Sequence, residues 1–278
     1  MANSLCLHKN HIQIRMKVIR VLVIILLTST IVGVISSCSN SDDPLPENPD
    51  QLDNFLAANQ NFPLVTDSLI ACAFGGQTGI FENAAFPVGV LFYPEGNATN
   101  FQYFETKDAN VDPDDYSNYC KVELDDEPFF NGYLRRFLRQ ATTQPRYGLV
   151  LYQRGDKFYI SNPINIKLQD NPTEYNPNLL EIDQGDPFSP RFRWTDGRIA
   201  DNVIYFHAIL DEQGDLVSGT YTLDRQFQFY DLSNVVLNIR DITPPPTLES
   251  GKSYQFVLMG VSLDNWVNLF ADVEFRVN

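Results

Sequence analysis

Between residues 61 and 168 the apolar residues fall into short runs with a period of two, separated by clusters of Pro, Gly, Asn and Asp. The runs are Leu69 to Phe74, Val88 to Tyr93, Phe101 to Thr106, Tyr119 to Leu124, Tyr147 to Gln153 and Lys157 to Leu168. Within them Phe101, Tyr103 and Glu105 face one way and Gln102 and Phe104 the other, while Ile160, Ile164, Ile166 and Leu168 keep an even spacing. A parallel sheet needs crossover segments of roughly a dozen residues, most often helices, and the sequence offers few. The pattern therefore predicts an all-β fold of antiparallel β-sandwiches. One stretch reads two ways: Glu127 to Arg139 starts with acids and a Pro, and Phe130, Tyr133, Leu134, Phe137 and Leu138 recur at helical spacing, so a short helix across a sheet edge is preferred despite Gly132. A strand would put Tyr133, Arg135 and Phe137 on one face and Leu134, Arg136 and Leu138 on the other.

Charge narrows the possible partners. The chain has 20 Lys and Arg against 35 Asp and Glu, a net charge of −15. Loss of the first 37 residues, which hold Lys9, Arg15, Lys17 and Arg20 and no acid, would leave 16 bases against 35 acids, or −19. Such a chain repels phosphate backbones, so nucleic acid is excluded as a partner.

The N-terminus supplies an address. Lys17 and Arg20 precede the apolar run Val21 to Val34, which is shorter than the ~20 residues of a spanning helix and reads as a cleaved secretory signal. Met16 would itself open a complete signal. Val34-Ile35-Ser36-Ser37-Cys38 resembles the bacterial lipobox, which implies lipidation of Cys38 as the first residue of the mature chain. The following Ser39-Asn40-Ser41-Asp42-Asp43 is similar to the acidic export tag of Bacteroidetes-type surface lipoproteins, centred on Ser41-Asp42-Asp43. That resemblance implies an outer-membrane protein, anchored by its lipid and facing the cell exterior. Residues 38 to 60 are rich in Pro, Asn and Asp, and their sizeable apolar residues are Leu45, Leu52, Phe55 and Leu56, so a disordered tether is expected. Acyl chains at about 0.8 kcal/mol per buried methylene would make the attachment stable.

Two units are expected beyond the tether, 61–171 and 172–278, with a linker near Gln169-Asp170-Asn171-Pro172-Thr173. In the second, Leu248-Glu249-Ser250-Gly251-Lys252-Ser253-Tyr254 resembles the E-to-F corner of fibronectin type III domains, in the immunoglobulin-like class. The resemblance implies a buried Tyr254 ring, a hydroxyl bonded back to the preceding turn, and a positive φ at Gly251. Arg191-Phe192-Arg193-Trp194 is similar to the B strand of that family, and Phe270, Val273, Phe275 and Val277 would form its last strand, bulged near Asp272.

Catalytic patterns are sparse. His207 is the one His after the signal and sits in the apolar run Val203 to Leu210, where a structural strand histidine is the expected role. No phosphate loop, His-Glu-x-x-His or Cys-x-x-Cys occurs. Asp112, Asp114 and Asp115 offer alternate oxygens to a structural calcium ion, although Tyr116 breaks the register of a calcium-binding helix-loop-helix. A plain acidic turn is the alternative; no other cofactor is indicated. Cys72 and Cys120 are either a disulfide closing a long loop or two thiols. Arg154-Gly155-Asp156 is explained by a hairpin turn. Arg135, Arg136, Arg139 and Arg146 form a basic cluster, read as a solvated helix face. The loop-proximal aromatics Trp266, Tyr116, Tyr119 and Tyr93 are candidates for stacking on sugar rings. The expected function is binding without catalysis: a surface lipoprotein that captures or presents a ligand, with a glycan the first choice. The alternatives are a structural subunit of an outer-membrane protein complex and a carboxylate-dependent hydrolase.

Overall fold

A computed structural model describes residues 50–278 except 77–78, 82, 230 and 240–245. Cys38, the signal and the acidic tag lie outside the described residues. Helix α1 (Leu52–Ala58) is followed by β1 (Leu64–Leu69), β2 (Ala71–Gly75), β3 (Val88–Phe92), β4 (Thr99–Glu105), β5 (Cys120–Val122), β6 (Asp126–Phe129), β7 (Leu134–Arg139), β8 (Arg146–Arg154), β9 (Lys157–Ser161) and β10 (Ile164–Ile166). Then come β11 (Glu174–Tyr175), β12 (Leu180–Asp183), β13 (Arg191–Trp194), β14 (Asn202–Leu210), β15 (Leu216–Thr222), β16 (Gln226–Gln228), β17 (Val235–Asn238), β18 (Ser253–Ser262) and β19 (Val267–Arg276).

Among the described residues these strands form four sheets: β1-β9-β8-β4-β5 with β10 beside β8, then β2-β3-β7-β6, β11-β19-β18-β14-β15-β17, and β12-β13-β16. Pairing is antiparallel except for β1 with β9 and β11 with β19. The fold is all-β and sandwich-like, as the alternating runs predict. Side-chain parity shows how the sheets stack. One face of the first sheet packs under α1 through Phe104, Leu149 and Phe158; the other meets the second sheet through Tyr103, Val150 and Tyr152 against Val90, Phe92 and Phe137. The second sheet turns Phe74, Leu91 and Leu134 to Phe206, Val257 and Met259 of the third. The third sheet in turn packs Tyr205, Phe256 and Leu258 against Phe192, Trp194 and Phe227 of the fourth. Sheets two and three are therefore buried on both faces, which is why the run Val203 to Leu210 carries almost no polar residue.

The same double burial overturns the helix expected over 127–139. Leu134 and Phe137, three apart, belong to opposite faces of β7 and to different cores, so their spacing imitates one helical stripe. The stretch is a β6–β7 hairpin whose tip takes positive φ at Phe130, Asn131 and Gly132. The tether expectation is corrected for residues 50–60. Leu52 is fully buried, Phe55 and Leu56 pack on the first sheet's outer core, and Gln51 bridges to Cys120. The last strand runs in register through Asp272, and its bulge falls at Asn268, between the pairs Gly260–Leu269 and Val261–Val267.

The expected linker is tied down. Thr173 is buried; its amide donates to Gly75 O at 2.8 Å and its hydroxyl to Val267 O at 2.8 Å. Trp266, from the β18–β19 turn, fills the core between sheets one and two, and its indole N–H donates to Asn171 O at 2.8 Å. The described residues from Asp50 to Asn278 accordingly form one compact unit.

Candidate functional site

The residues marked by sequence do not converge on one site. Trp266 is completely buried, and so is Tyr119, whose hydroxyl donates to Pro113 O at 2.8 Å; neither ring can stack on a sugar from solvent. Tyr116 and Tyr93 are half-buried, Tyr116 against the core beneath α1 and Tyr93 against that between sheets two and three. Cys72 in β2 and Cys120 at the start of β5 belong to different sheets and carry thiols, not a bridge. Burial pushes the Cys72 thiol up to about 12, so it stays protonated.

The acidic turn is occupied with its own backbone. Asp112 Oδ1 accepts from the Asp114 amide at 3.0 Å, and Asp115 Oδ1 accepts from the Ser117 amide at 3.0 Å and the Ser117 hydroxyl at 2.7 Å. Among the described residues no group of three His, Cys, Asp or Glu side chains is placed to hold a metal ion. The four arginines lie on strands rather than on a solvated helix. Arg135 pairs with Asp126, Arg136 with Glu127, and Arg139 and Arg146 converge on the buried Glu105. Arg154 pairs with Glu95 and Gly155 turns the β8–β9 hairpin with φ 61°, so the tripeptide is a turn.

His207 is buried with Thr220 Oγ1 2.7 Å from its Nδ1 and the Phe227 ring 4.2 Å from its own. Burial lowers its pKa to about 3, leaving it neutral and out of reach of a substrate. It is a core residue, as the apolar run suggests.

An open cleft lies instead beside the fourth sheet. It encloses about 560 Å³ and is lined by Asn178 and Leu179 of a 3₁₀ turn, Glu181 of β12, Arg193 to Thr195 at the end of β13, and Asp224 to Gln226 entering β16. Backbone bonds shape it: the Thr195 amide donates to Leu179 O and the Trp194 amide to Arg225 O, both at 3.2 Å. Beneath it lies a polar keystone. Buried Asp196 accepts from Asn202 Nδ2 at 2.9 Å, from the Tyr205 hydroxyl at 2.8 Å and from Arg225 Nε at 2.6 Å. Burial and the adjoining carboxylate push the Tyr205 phenol up to about 12, and the bond to Asp196 raises the Arg225 pKa, so the first stays neutral and the second charged. Asn202 Oδ1 accepts from Asn268 Nδ2 at 3.2 Å, and Asn268 Oδ1 from Asn171 Nδ2 at 2.9 Å. A chain of amides thus runs from the Trp266 seam to the guanidinium at the cleft. Gly260 leaves room for it, since a Cβ there would stand 2.5 Å from Asn202.

The cleft carries both signs of charge: Glu181 and Asp224 face Arg193 on its walls, while Arg225 is paired with Asp196 beneath. Its walls offer carboxylate acceptors, guanidinium donors and the two-way amides of Asn178 and Gln226. Sequence reasoning passed over Glu181, Arg225 and Gln226. The alternation Arg191-Phe192-Arg193-Trp194 places Arg193 on an outer face, but the partner strands that complete the cleft are set by sheet pairing. No family model and no curated protein matches the chain.

Proposed function

We propose that the protein is a non-catalytic surface lipoprotein, anchored through Cys38 at the outer membrane, that captures or presents a glycan in the cleft between β12, β13 and β16. The observation that carries the reading is the cleft itself: open, about 560 Å³, of mixed charge on a chain of net charge −15, and lined by groups that both donate and accept. Hydroxyl groups are each donor and acceptor, and such a lining suits them better than it suits an ion. The Asp196 anchor holds Arg225 before any ligand arrives, which lowers the cost of ordering the site. With Trp266 and Tyr119 in the core, recognition would rest on hydrogen bonds rather than on aromatic stacking.

The fibronectin type III-like reading of the C-terminal half is part of the proposal. The order β12-β13-β16 facing β19-β18-β14-β15 supports it, as does the corner, where the Glu249 amide donates to the Tyr254 hydroxyl at 3.0 Å and Gly251 has φ 80°.

Titration of the full chain with neutral oligosaccharides, read by calorimetry and by intrinsic fluorescence from Trp194, tests the site. Arg193→Ala removes a half-exposed side chain whose ion partner Asp183 stands 3.8 Å away, so the fold should persist while affinity falls about tenfold. Unchanged affinity in this variant would remove the cleft from the reading.

A further inference from the structure

We infer that the ligand of this cleft is an extended, uncharged oligosaccharide that continues from the cleft across the outer face of the β12-β13-β16 sheet; the inference rests on the reading of the cleft as a glycan site. The sheet's register carries it. Glu181 stands opposite Arg193 and Arg193 opposite Gln226; two residues along, Asp183 stands opposite Arg191 and Arg191 opposite Gln228. The intervening Phe192, Trp194 and Phe227 point into the core, so all six polar side chains share the outer face. The face therefore bears two rungs of the same composition, acid, arginine and glutamine, roughly 6.8 Å apart along the strands. The first rung forms part of the cleft lining and the second lies beyond it.

Each rung sums to zero formal charge and presents a carboxylate, a guanidinium and an amide. The second rung is held ready: Arg191 Nε and Nη2 donate to Gln228 Oε1 at 3.2 and 2.6 Å, and Gln228 Nε2 donates to Ser189 Oγ at 3.2 Å. A polyanion on this face would meet Glu181 and Asp183 within a molecule of net charge −15, and a polycation would meet Arg191 and Arg193. A neutral polyhydroxyl chain meets complementary groups at both rungs. A second set of the same groups is what a repeating ligand can use and a single sugar cannot.

The test is a length series. The full chain is titrated with neutral gluco-, xylo- and manno-oligosaccharides of one to six residues, with galacturonate and glucosamine oligomers as charged controls. At least one neutral series should bind about tenfold more tightly at six residues than at two, and Arg191→Ala should abolish that gain. Equal affinity at both lengths, or a gain that survives Arg191→Ala, would overturn the second subsite while leaving the cleft as a glycan site. Tighter binding of either charged series would overturn the neutrality of the ligand. Failure of every sugar at every length would overturn the glycan reading and this inference with it.

Discussion

At the scale of single residues, burial decides chemistry. His207 shares a parity with Tyr205 and Ile209, and β14 turns all three to the core between sheets three and four. A histidine there stays neutral while the same residue in the unfolded chain titrates near 6.5. The unfolded state thus binds an extra proton between pH 6.5 and about 3, and stability is lost as the pH is lowered across that window, by up to about 1.4 kcal/mol per unit. Urea unfolding of the wild type and His207→Gln at pH 7.5 and 4.5 isolates this from the many carboxylates. The wild type should lose about 2 kcal/mol more than the variant on acidification; an identical loss in both would mean that the ring is protonated in the folded state. The preference for a structural histidine was legible because the run around it is apolar. Asp196 was not legible: an acid beside Gly197 reads as a turn residue until Asn202, Tyr205 and Arg225 are brought around it.

At the scale of elements, the same apolar residue means different things in different company. Leu52, Phe55 and Leu56 read as too few to bury anything, yet they share one face of α1 and meet Phe104 and Phe158, with Phe55 centred 5.4 Å from Phe158. Isolated seven-residue helices do not persist in water, so α1 exists because the first sheet supplies the other half of its core. Leu52→Ala should cost about 2–4 kcal/mol, measured as the shift in urea midpoint multiplied by the slope. A cost near zero would restore residues 50–60 to the tether. The β6–β7 hairpin teaches the converse. Its sequence carries a helical spacing and a Gly that weakens it, and strand pairing on both sides settled the contest: β7 makes ladders with both β3 and β6.

At the scale of the molecule, the seam between the halves is a core rather than a linker. Phe74, Leu91 and Leu134 face Phe206, Val257 and Met259, and Trp266 crosses into the core of the first half. Lys167 pairs with Asp264 at 2.7 Å and Asn265 Nδ2 donates to Pro163 O at 2.9 Å, tying the β18–β19 turn to the segment around β10. Separation at residue 171 would expose both faces of this contact. Far-UV circular dichroism and tryptophan fluorescence should therefore report one coincident urea transition for the whole body. Two resolved transitions would show that the halves fold independently.

The alternation of side chains and the turn residues between the runs are local properties, and from them the sequence by itself determined an all-β fold and about half of the strand positions; the geometry of the Leu248 to Tyr254 corner came from a family resemblance. Which faces meet is not local. The cleft joins residues 178–181, 193–195 and 224–226 across a sheet, and the seam joins Thr173 to Gly75 and Trp266 to Asn171. Such contacts arise only when separate strands pair in one register, because periodicity records that a side chain has a buried side without recording what lies opposite. The tertiary structure alone could therefore move Trp266 from the surface to the core and bring Glu181, Arg193 and Gln226 into one row.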